Sequence, residues 1–222
     1  MAGLSLKVIG AIGMASYALA YLCTRARHVA YYRFGIVVVD AARLPGLPRG
    51  YSWRLLGPQE LAAHRIDVDA AAQSARFAEG LQCLATFDRN GALAGVSWMG
   101  KRSHEDPQYG VRYLLPANAA WDTGLWVPED KRMTRAFSAV WAAMGEWLAR
   151  EGLDCTISSI ADYNAASIAS HRRLGARRLR TITVLRLGAL QLTMGARPWL
   201  RWRGKAGPPT VSFSLTAPAP AL

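Results

Sequence analysis

The stretch WDTGLWVPEDKRMTRAFSAVWAAMGEWLAR, from Trp121 to Arg150, indicates the fold. It begins with an apolar strand, Asp122–Val127, that ends at Val127-Pro128. A basic turn follows, and the apolar residues after it recur with helical spacing, at Met133, Phe137, Val140, Met144 and Trp147/Leu148. The first N–H groups of a helix lack internal partners, and the helix dipole is positive there. A strand that runs into a helix through a short basic turn is therefore suited to bind phosphate.

The residues from Val127 to Ala136 resemble the acyl-CoA-binding signature of the GNAT superfamily of N-acyltransferases, V-x-P-E-x-(R/Q)-x-x-G-x-(G/A). The resemblance implies that the pyrophosphate of the donor lies on this turn. Lys131 stands where the family prefers Arg or Gln, and Thr134 stands where it prefers Gly. Because glycine lets the backbone come close to phosphate, Thr134 predicts a weaker or altered donor site.

A second segment, Asn164–Ala176, resembles the later N-x-x-S-x-x-x-(Y/H)-x-x-x-G-(F/A) motif of the same superfamily, in the branch similar to phosphinothricin acetyltransferases. The residues alone predict a short capped helix, with Asn164 as N-cap, Ser167 at the third helical position and Gly175 as the stop. Both motifs occur in the expected order, with a strand at Cys155–Ile160 between them. This order favours the GNAT interpretation over a chance match.

The resemblance covers residues 51–190 and implies an α/β (α+β) fold. The GNAT fold would have a mixed central sheet of about six to seven strands, helices on both faces, and fourth and fifth strands that splay apart to admit the pantetheine arm. The Asn90-Gly91 pair between two apolar runs predicts a hairpin. The expected strands are Tyr51–Leu56, Gln82–Phe87, Ala92–Met99, Asp122–Val127, Leu153–Ile160 and Ala176–Leu187. Val111–Leu115 is a candidate start of the fourth strand, which contains Asp122–Val127.

The sequence predicts four segments: an apolar helix over 1–30, a strand and linker over 31–50, the GNAT domain over 51–190, and a basic, aromatic extension with a disordered tail over 191–222. Val8–Cys23 has no charged residue but is shorter than the roughly 20 residues of a membrane span. It fits a helix packed on the domain or a partner, a shallow membrane anchor, or a short span. The Arg and Trp residues of 190–205 fit either a lipid headgroup interface or an extension packed on the sheet, and Gly207–Leu222 fits a disordered tail.

The composition favours anionic partners. The chain of 222 residues has a formal net charge of +12, from 27 Lys and Arg against 15 Asp and Glu, which suits CoA phosphates or an anionic membrane surface. No nucleic-acid-binding motif is present, so no nucleic acid is expected. Three scattered cysteines and four scattered histidines form no metal motif, and no metal is predicted. We expect a cytoplasmic protein, with attachment to the inner face of the membrane through residues 1–30 as an alternative, and a homodimer is left open.

The resemblance also assigns roles to individual residues. The main chain of Leu125, Trp126 and Val127 would hold the pantetheine and the thioester carbonyl. Asn164 would cap its helix and contact the pantetheine. The pyrophosphate would be held by the turn and the helix start, at Lys131, Arg132, Met133, Thr134, Arg135 and Ala136.

Two residues are candidates for proton transfer. His171 stands where many relatives place a tyrosine that protonates the leaving thiolate, and a structural role in its helix is the alternative. Asp122 is the candidate base or amine-binding group, because an acid on an apolar strand is costly to bury without a partner. His104 and Glu105 are weaker candidates, since a charged loop is usually solvated.

These features predict an N-acetyltransferase that moves an acyl group from acetyl-CoA, or another acyl-CoA, directly to a primary amine in a ternary complex. The alternative is a degenerate GNAT-like domain that serves as a membrane-associated binding or scaffold module without turnover. Thr134 in place of glycine motivates this alternative.

Overall fold

The structure is a computed structural model that describes residues 2–132, 134–213 and 215, without the side chains of residues 2–7. Its helices are α1 (Ala2–Thr24), α2 (Pro58–Ala62), α3 (Ala70–Ala78), α4 (Ala136–Glu151) and α5 (Ala165–Arg173). Its strands are β1 (Val29–Asp40), β2 (Tyr51–Leu56), β3 (Gln82–Asp88), β4 (Leu93–Lys101), β5 (Ser103–Asp106), β6 (Val111–Leu114), β7 (Ala119–Trp126), β8 (Cys155–Ala161), β9 (Arg177–Leu187), β10 (Leu190–Met194), β11 (Leu200–Trp202) and β12 (Thr210–Ser212). Short 3-10 turns lie at Ala41–Arg43 and Glu129–Lys131.

The predicted α/β class is confirmed, because the described strands form a large mixed sheet accompanied by helices. The predicted number of six to seven strands is wrong, since this sheet has nine and a second sheet has three. The difference arises at the two ends of the chain. The strands β1, β10 and β11 all join the large sheet, although the sequence placed them outside the GNAT domain. The predicted splay of the fourth and fifth strands stays a prediction.

The chain divides into two compact units. Unit 1 comprises Met1–Val39, Ser103–Pro116 and Ile157–Leu222, and unit 2 comprises Asp40–Arg102 and Ala117–Thr156. The four segments expected from the sequence stay a prediction.

Unit 1 contains strands in the order β11-β10-β9-β1-β8, and β8 begins with its first two residues in unit 2. The strand β1 is antiparallel to β9, with Phe34 opposite Ile182. Both of these side chains are fully buried, as is Ile36. The run of β-branched and aromatic residues in β1 therefore supplies a central strand of this unit.

The helix α1 packs on unit 1 through small residues. Gly13, Ser16 and Cys23 are buried and Ala20 is partly buried. A Cβ atom at Gly13 would lie only 2.7 Å from the carbonyl oxygen of Asp162, so glycine allows the close approach. This contact agrees with the interpretation of a helix packed on the domain. Within the described residues, no helix combines the length and apolar character needed to cross a membrane.

A small sheet in unit 1 corrects two predictions. Its order is β12-β6-β5. Val111–Leu115 does not begin the fourth strand, because Val111–Leu114 pairs with β5 and with β12 instead. Thr210–Ser212 lies in the predicted disordered tail but forms β12, where the side chain of Val211 is buried. The tail residues 216–222 lie outside the described residues.

Unit 2 contains strands in the order β7-β4-β3-β2, all antiparallel. The predicted hairpin is confirmed, and in its turn the Oδ1 of Asp88 accepts hydrogen bonds from the N–H groups of Asn90 and Ala92. The helix α4 packs against β2, β3 and β4. It begins at Ala136, three residues after the first apolar position of the predicted repeat, Met133, which lies outside the described residues.

Candidate functional site

The strand β7 has a bulge in front of the basic turn. Trp126 lies opposite Val96 and Thr123 lies opposite Trp98, so three steps along β7 match two steps along β4. Gly124, within the bulge, has a φ of 61°. A bulge leaves one residue without a partner in the ladder. The bulge therefore leaves a main-chain position immediately before or within Leu125–Val127 without a ladder partner on β4, and the main-chain role predicted for these three residues stays a prediction.

The bulge is occupied on one side by an arginine from α3. A Cβ atom at Gly124 would lie 2.5 Å from Nη1 of Arg76. The guanidinium carbon of Arg76 also lies 5.2 Å from the ring centre of Trp98, a cation–π distance. Only glycine fits into the space beside Arg76 and readily adopts the positive φ at this position. A cation is thus placed beside the bulged strand, and the sequence motifs did not point to it.

The basic turn is tied to the β3–β4 hairpin. Nζ of Lys131 donates to Oδ2 of Asp88 at 2.6 Å. This hydrogen bond is the largest cause that lowers the pKa of Asp88 below its usual value. Lys131, which the resemblance places on the pyrophosphate, is therefore already paired with a carboxylate, and a phosphate at the turn would share or compete for it.

Thr134, at the position where the GNAT signature has glycine, makes two local hydrogen bonds. Its hydroxyl donates to the carbonyl oxygen of Lys131 at 2.7 Å and accepts from the N–H of Ala136 at 3.1 Å. Side chains of this type satisfy N–H groups at helix starts. The hydroxyl therefore occupies one of the N–H groups that a phosphate at this turn would use.

The remaining cations of the turn are exposed. Nε of Arg132 donates to the carbonyl oxygen of Val127 at 3.4 Å, and Arg135 is the N-cap residue of α4 without a side-chain capping bond. The first turn of α4 contains no acidic residue. Cations oppose the helix dipole at this end, and an anion would relieve that conflict. The structure thus brings the predicted residues Lys131, Arg132, Thr134, Arg135 and Ala136 together in one turn, while Met133 lies outside the described residues.

Asp122 is buried on β7 and has a hydrogen-bond partner in the same unit. Its Oδ2 accepts from the hydroxyl of Thr156 at 2.5 Å, and 5% of the residue is exposed. The hydroxyl of Thr156 therefore orients the carboxylate. A buried, oriented carboxylate suits a proton acceptor or an ammonium-binding group.

His171 is buried in unit 1, near the end of α5. Its Nδ1 lies 2.8 Å from the carbonyl oxygen of Ser167, and its Nε2 lies 3.3 Å from Oγ of Ser158. A carbonyl oxygen can only accept, so Nδ1 carries a hydrogen in its contact with Ser167, and Nε2 shares the second hydrogen bond with the Ser158 hydroxyl. Asn164 caps α5 as predicted, with its Oδ1 accepting from the N–H of Ser167.

The weaker candidates lie on β5, in the small sheet of unit 1. His104 is buried, and Glu105 forms an ion pair with Arg112 at 2.8 Å.

Burial raises the pKa of the Cys83 thiol to about 12, so this cysteine is a core residue and not a nucleophile. In the part of the chain that the structure describes, no group of three or more His, Cys, Asp and Glu side chains could hold a metal ion.

Sequence reasoning missed four polar residues of these sites: Arg76, Asp88, Thr156 and Ser158. Asp88 was visible as a turn residue, but its pairing with Lys131 joins positions 43 apart in the chain. Thr156 and Ser158 alternate with apolar residues on β8, and that alternation alone could have placed them on one face.

The sequence matches no protein-family model and no curated protein. Solved structures do match. A Drosophila protein is 15% identical, with 79% of this chain and 57% of that chain covered and a TM-score of 0.50. A protein of unknown function from Staphylococcus epidermidis is 13% identical, with coverages of 78% and 67% and a TM-score of 0.50. At these identities the likeness is one of fold, and this chain spans just over half of the Drosophila protein.

GNAT acetyltransferases are among the structural matches. A GCN5-related N-acetyltransferase from Kribbella flavida is 16% identical, with 76% of this chain and 63% of that chain covered and a TM-score of 0.47. Other matches include a tandem GNAT protein, a protein of the phosphinothricin N-acetyltransferase type, and a Salmonella typhimurium protein that was solved with acetyl-CoA.

Proposed function

We propose that this protein is an N-acyltransferase that takes its acyl group from acetyl-CoA or another acyl-CoA. The observation that carries the proposal is the order of features in unit 2. A bulged strand end, Gly124–Val127, leads through a basic turn into the first turn of α4, which contains no acidic residue. The first GNAT motif quoted from the sequence, Val127–Ala136, falls on this strand end and turn. The bulge offers main-chain groups to a thioester arm, and the helix start with Arg132 and Arg135 offers positive charge to a diphosphate.

The proposed reaction is direct transfer to a primary amine. The amine nitrogen attacks the thioester carbonyl, the new C–N bond forms and the C–S bond breaks. Asp122 accepts the proton that the amine loses, and the buried position of its carboxylate supports this role. The leaving thiolate gains a proton, and the sequence-based assignment of His171 as its donor stays a prediction.

Two measurements on the full chain test this function. Calorimetric titration with acetyl-CoA is expected to show saturable binding, and a thiol-release assay over a panel of primary amines is expected to show turnover with at least one class. Binding without turnover across amino acids, amino sugars and polyamines would support the binding-module alternative. No heat with acetyl-CoA or with longer acyl-CoA donors would contradict the donor site itself.

Reversing the charge of Arg132 is expected to weaken acetyl-CoA binding about tenfold or more, because an exposed cation beside the helix start becomes an anion facing the diphosphate. The same Arg132→Glu variant should unfold at nearly the parent temperature, since the side chain is exposed and makes one long hydrogen bond, to the carbonyl of Val127. Titration calorimetry and thermal unfolding measure the two effects. The control is Arg65→Glu, the same charge change at an exposed position elsewhere in unit 2. Equal weakening in both variants would show that only net charge matters.

Restoring the family glycine at Thr134 is expected to tighten acetyl-CoA binding, because Thr134→Gly frees the N–H of Ala136 that the hydroxyl now occupies. The expected gain is a few-fold, and the loss of the local cap should lower stability by a few tenths of a kcal/mol up to about 1 kcal/mol. Titration calorimetry and urea unfolding check both. Thr134→Ser, which keeps the hydroxyl, should match the parent in both measurements. A glycine variant that binds no better than the serine variant would refute this account of the turn.

A further inference from the structure

The outward face of α1 is apolar and exposed. Residues 8–24 contain no charged side chain. The small residues of α1 pack on unit 1, while Ile12 and Leu22 are 64% and 61% exposed. A helix packed on the surface of a soluble unit normally carries charged and polar residues on its outer face. Between residues 8 and 24, α1 has no charged side chain, and its polar side chains are those of serine, threonine and tyrosine. Its outer face therefore lacks the charged residues that usually face water.

Apolar side chains are also exposed at the end of unit 1 where α1 stops. The strand register places Val29 opposite Leu187, Leu187 opposite Leu190, and Leu190 opposite Trp202, so these side chains share one face of the sheet. Leu187 and Trp202 are 51% and 53% exposed. Two short turns connect Leu22 at the end of α1 to Val29 at the start of β1. We call the set Leu22, Leu187 and Trp202 the apolar edge.

Basic residues lie in the chain segments that carry the apolar edge. Arg25, Arg27 and Arg203 are exposed, and we call them the basic rim. The turns that carry them are joined, since the N–H of Gly188 donates to the carbonyl of His28, and the N–H of Arg203 donates to the carbonyl of Ala189. Three segments form this end: residues 17–32, 185–192 and 200–206. Together they contain six Lys and Arg residues and no Asp or Glu.

Tyrosines add to the same end of the unit. A cavity of about 340 Å³ between α1 and the start of β1 is lined by five of them: Tyr17, Tyr21, Tyr31, Tyr32 and Tyr163. Tyrosine and tryptophan are enriched where hydrocarbon meets water, because one part of the side chain is apolar and another part is polar. Apolar, aromatic and basic side chains without acids form the composition that a lipid headgroup region accepts.

We infer that unit 1 docks peripherally on an anionic phospholipid surface through the apolar edge and the basic rim. The side chains of Leu22, Leu187 and Trp202 enter the headgroup region, and the three arginines meet lipid phosphates. A duplex nucleic acid would use the arginines but leave the apolar edge unsatisfied. A symmetric contact with a second copy would bring two basic rims together, which repel. This inference does not depend on the proposed acyl transfer.

Sedimentation of the full chain with lipid vesicles tests the inference. The protein is expected to bind vesicles of phosphatidylcholine and phosphatidylglycerol in equal parts, and to bind pure phosphatidylcholine much more weakly. The variant Arg25→Gln/Arg27→Gln/Arg203→Gln should partition about a hundredfold less, at about 1 kcal/mol for each cation at the surface. The variant Leu22→Ser/Leu187→Ser/Trp202→Ser should lose the part of the binding that survives high salt.

A matched control removes the same charge from unit 2. The variant Arg49→Gln/Arg65→Gln/Arg89→Gln changes three exposed arginines and should bind vesicles like the parent. Equal binding by the rim variant and this control would overturn the inference. So would two other results: duplex DNA binding that the rim variant loses and the apolar variant keeps, or a dimer without vesicles that the apolar variant abolishes.

Discussion

The Asp122→Asn variant is expected to lose about 10²- to 10⁴-fold in kcat/KM for acyl transfer and to keep its affinity for acetyl-CoA. This range is the usual contribution of a positioned general base. Asparagine has the shape of aspartate, and its carbonyl oxygen can still accept the hydrogen bond from Thr156. It cannot take a proton from an amine. The donor turn, residues 127–136, is not altered by this change, so binding of acetyl-CoA should be unaffected.

Steady-state kinetics over pH, with the acceptor identified by thiol release, separate the two roles proposed for Asp122. If the carboxylate is the base, kcat falls and the acidic limb of the rate profile is lost. If it binds the ammonium form of the acceptor, KM rises and kcat changes little. Thr156→Val is the matched control, because it removes the hydrogen bond and keeps the carboxylate. Parent-like kcat/KM in the asparagine variant would remove Asp122 from the reaction altogether.

Local signals explain the parts of the fold that the sequence predicted. The β3–β4 hairpin follows from Asn90-Gly91 between apolar runs. The helix α5 follows from its cap Asn164 and from Gly175, which has a φ of 68°. The helix α4 follows from its apolar period. Each of these signals lies within about 20 residues of chain, and each element has the expected type in the structure.

Long-range pairing explains the parts that the sequence did not predict. The strand β1 lies against β9, from which it is separated by more than 130 positions, and partners in β6 and β12 are 98 positions apart. No local sequence pattern in Val29–Asp40 identifies the strand with which it pairs. The same holds for the site, where the partner of Lys131 is Asp88 and the partner of Asp122 is Thr156. Motif spacing located the turn, but the choice of partner depends on tertiary packing.

Removing the carboxylate of Asp162 is expected to destabilise unit 1 by about 3 kcal/mol, the lower end of the usual cost of breaking a buried ion pair. Oδ2 of Asp162 is paired with Nη1 of Arg33, and Nη2 of Arg178 lies 4.0 Å from Oδ1. The carboxylate is almost fully buried. In Asp162→Ala, both guanidinium groups lose this counterion, in a cavity that Arg172 also lines.

Hydrogen exchange followed by mass spectrometry can assign this loss to one unit. Amides of β1 and β9 should exchange about a hundredfold faster in Asp162→Ala, whereas those of β3 and β4 in unit 2 should keep the parent rates. The double variant Arg33→Met/Asp162→Ala removes both charges of the pair and should recover at least half of the protection, because the main penalty in the single variant is an unpaired, partly buried charge. If the double variant exchanges as fast as the single one, the lost stability comes from the packing of Asp162 and not from its charge.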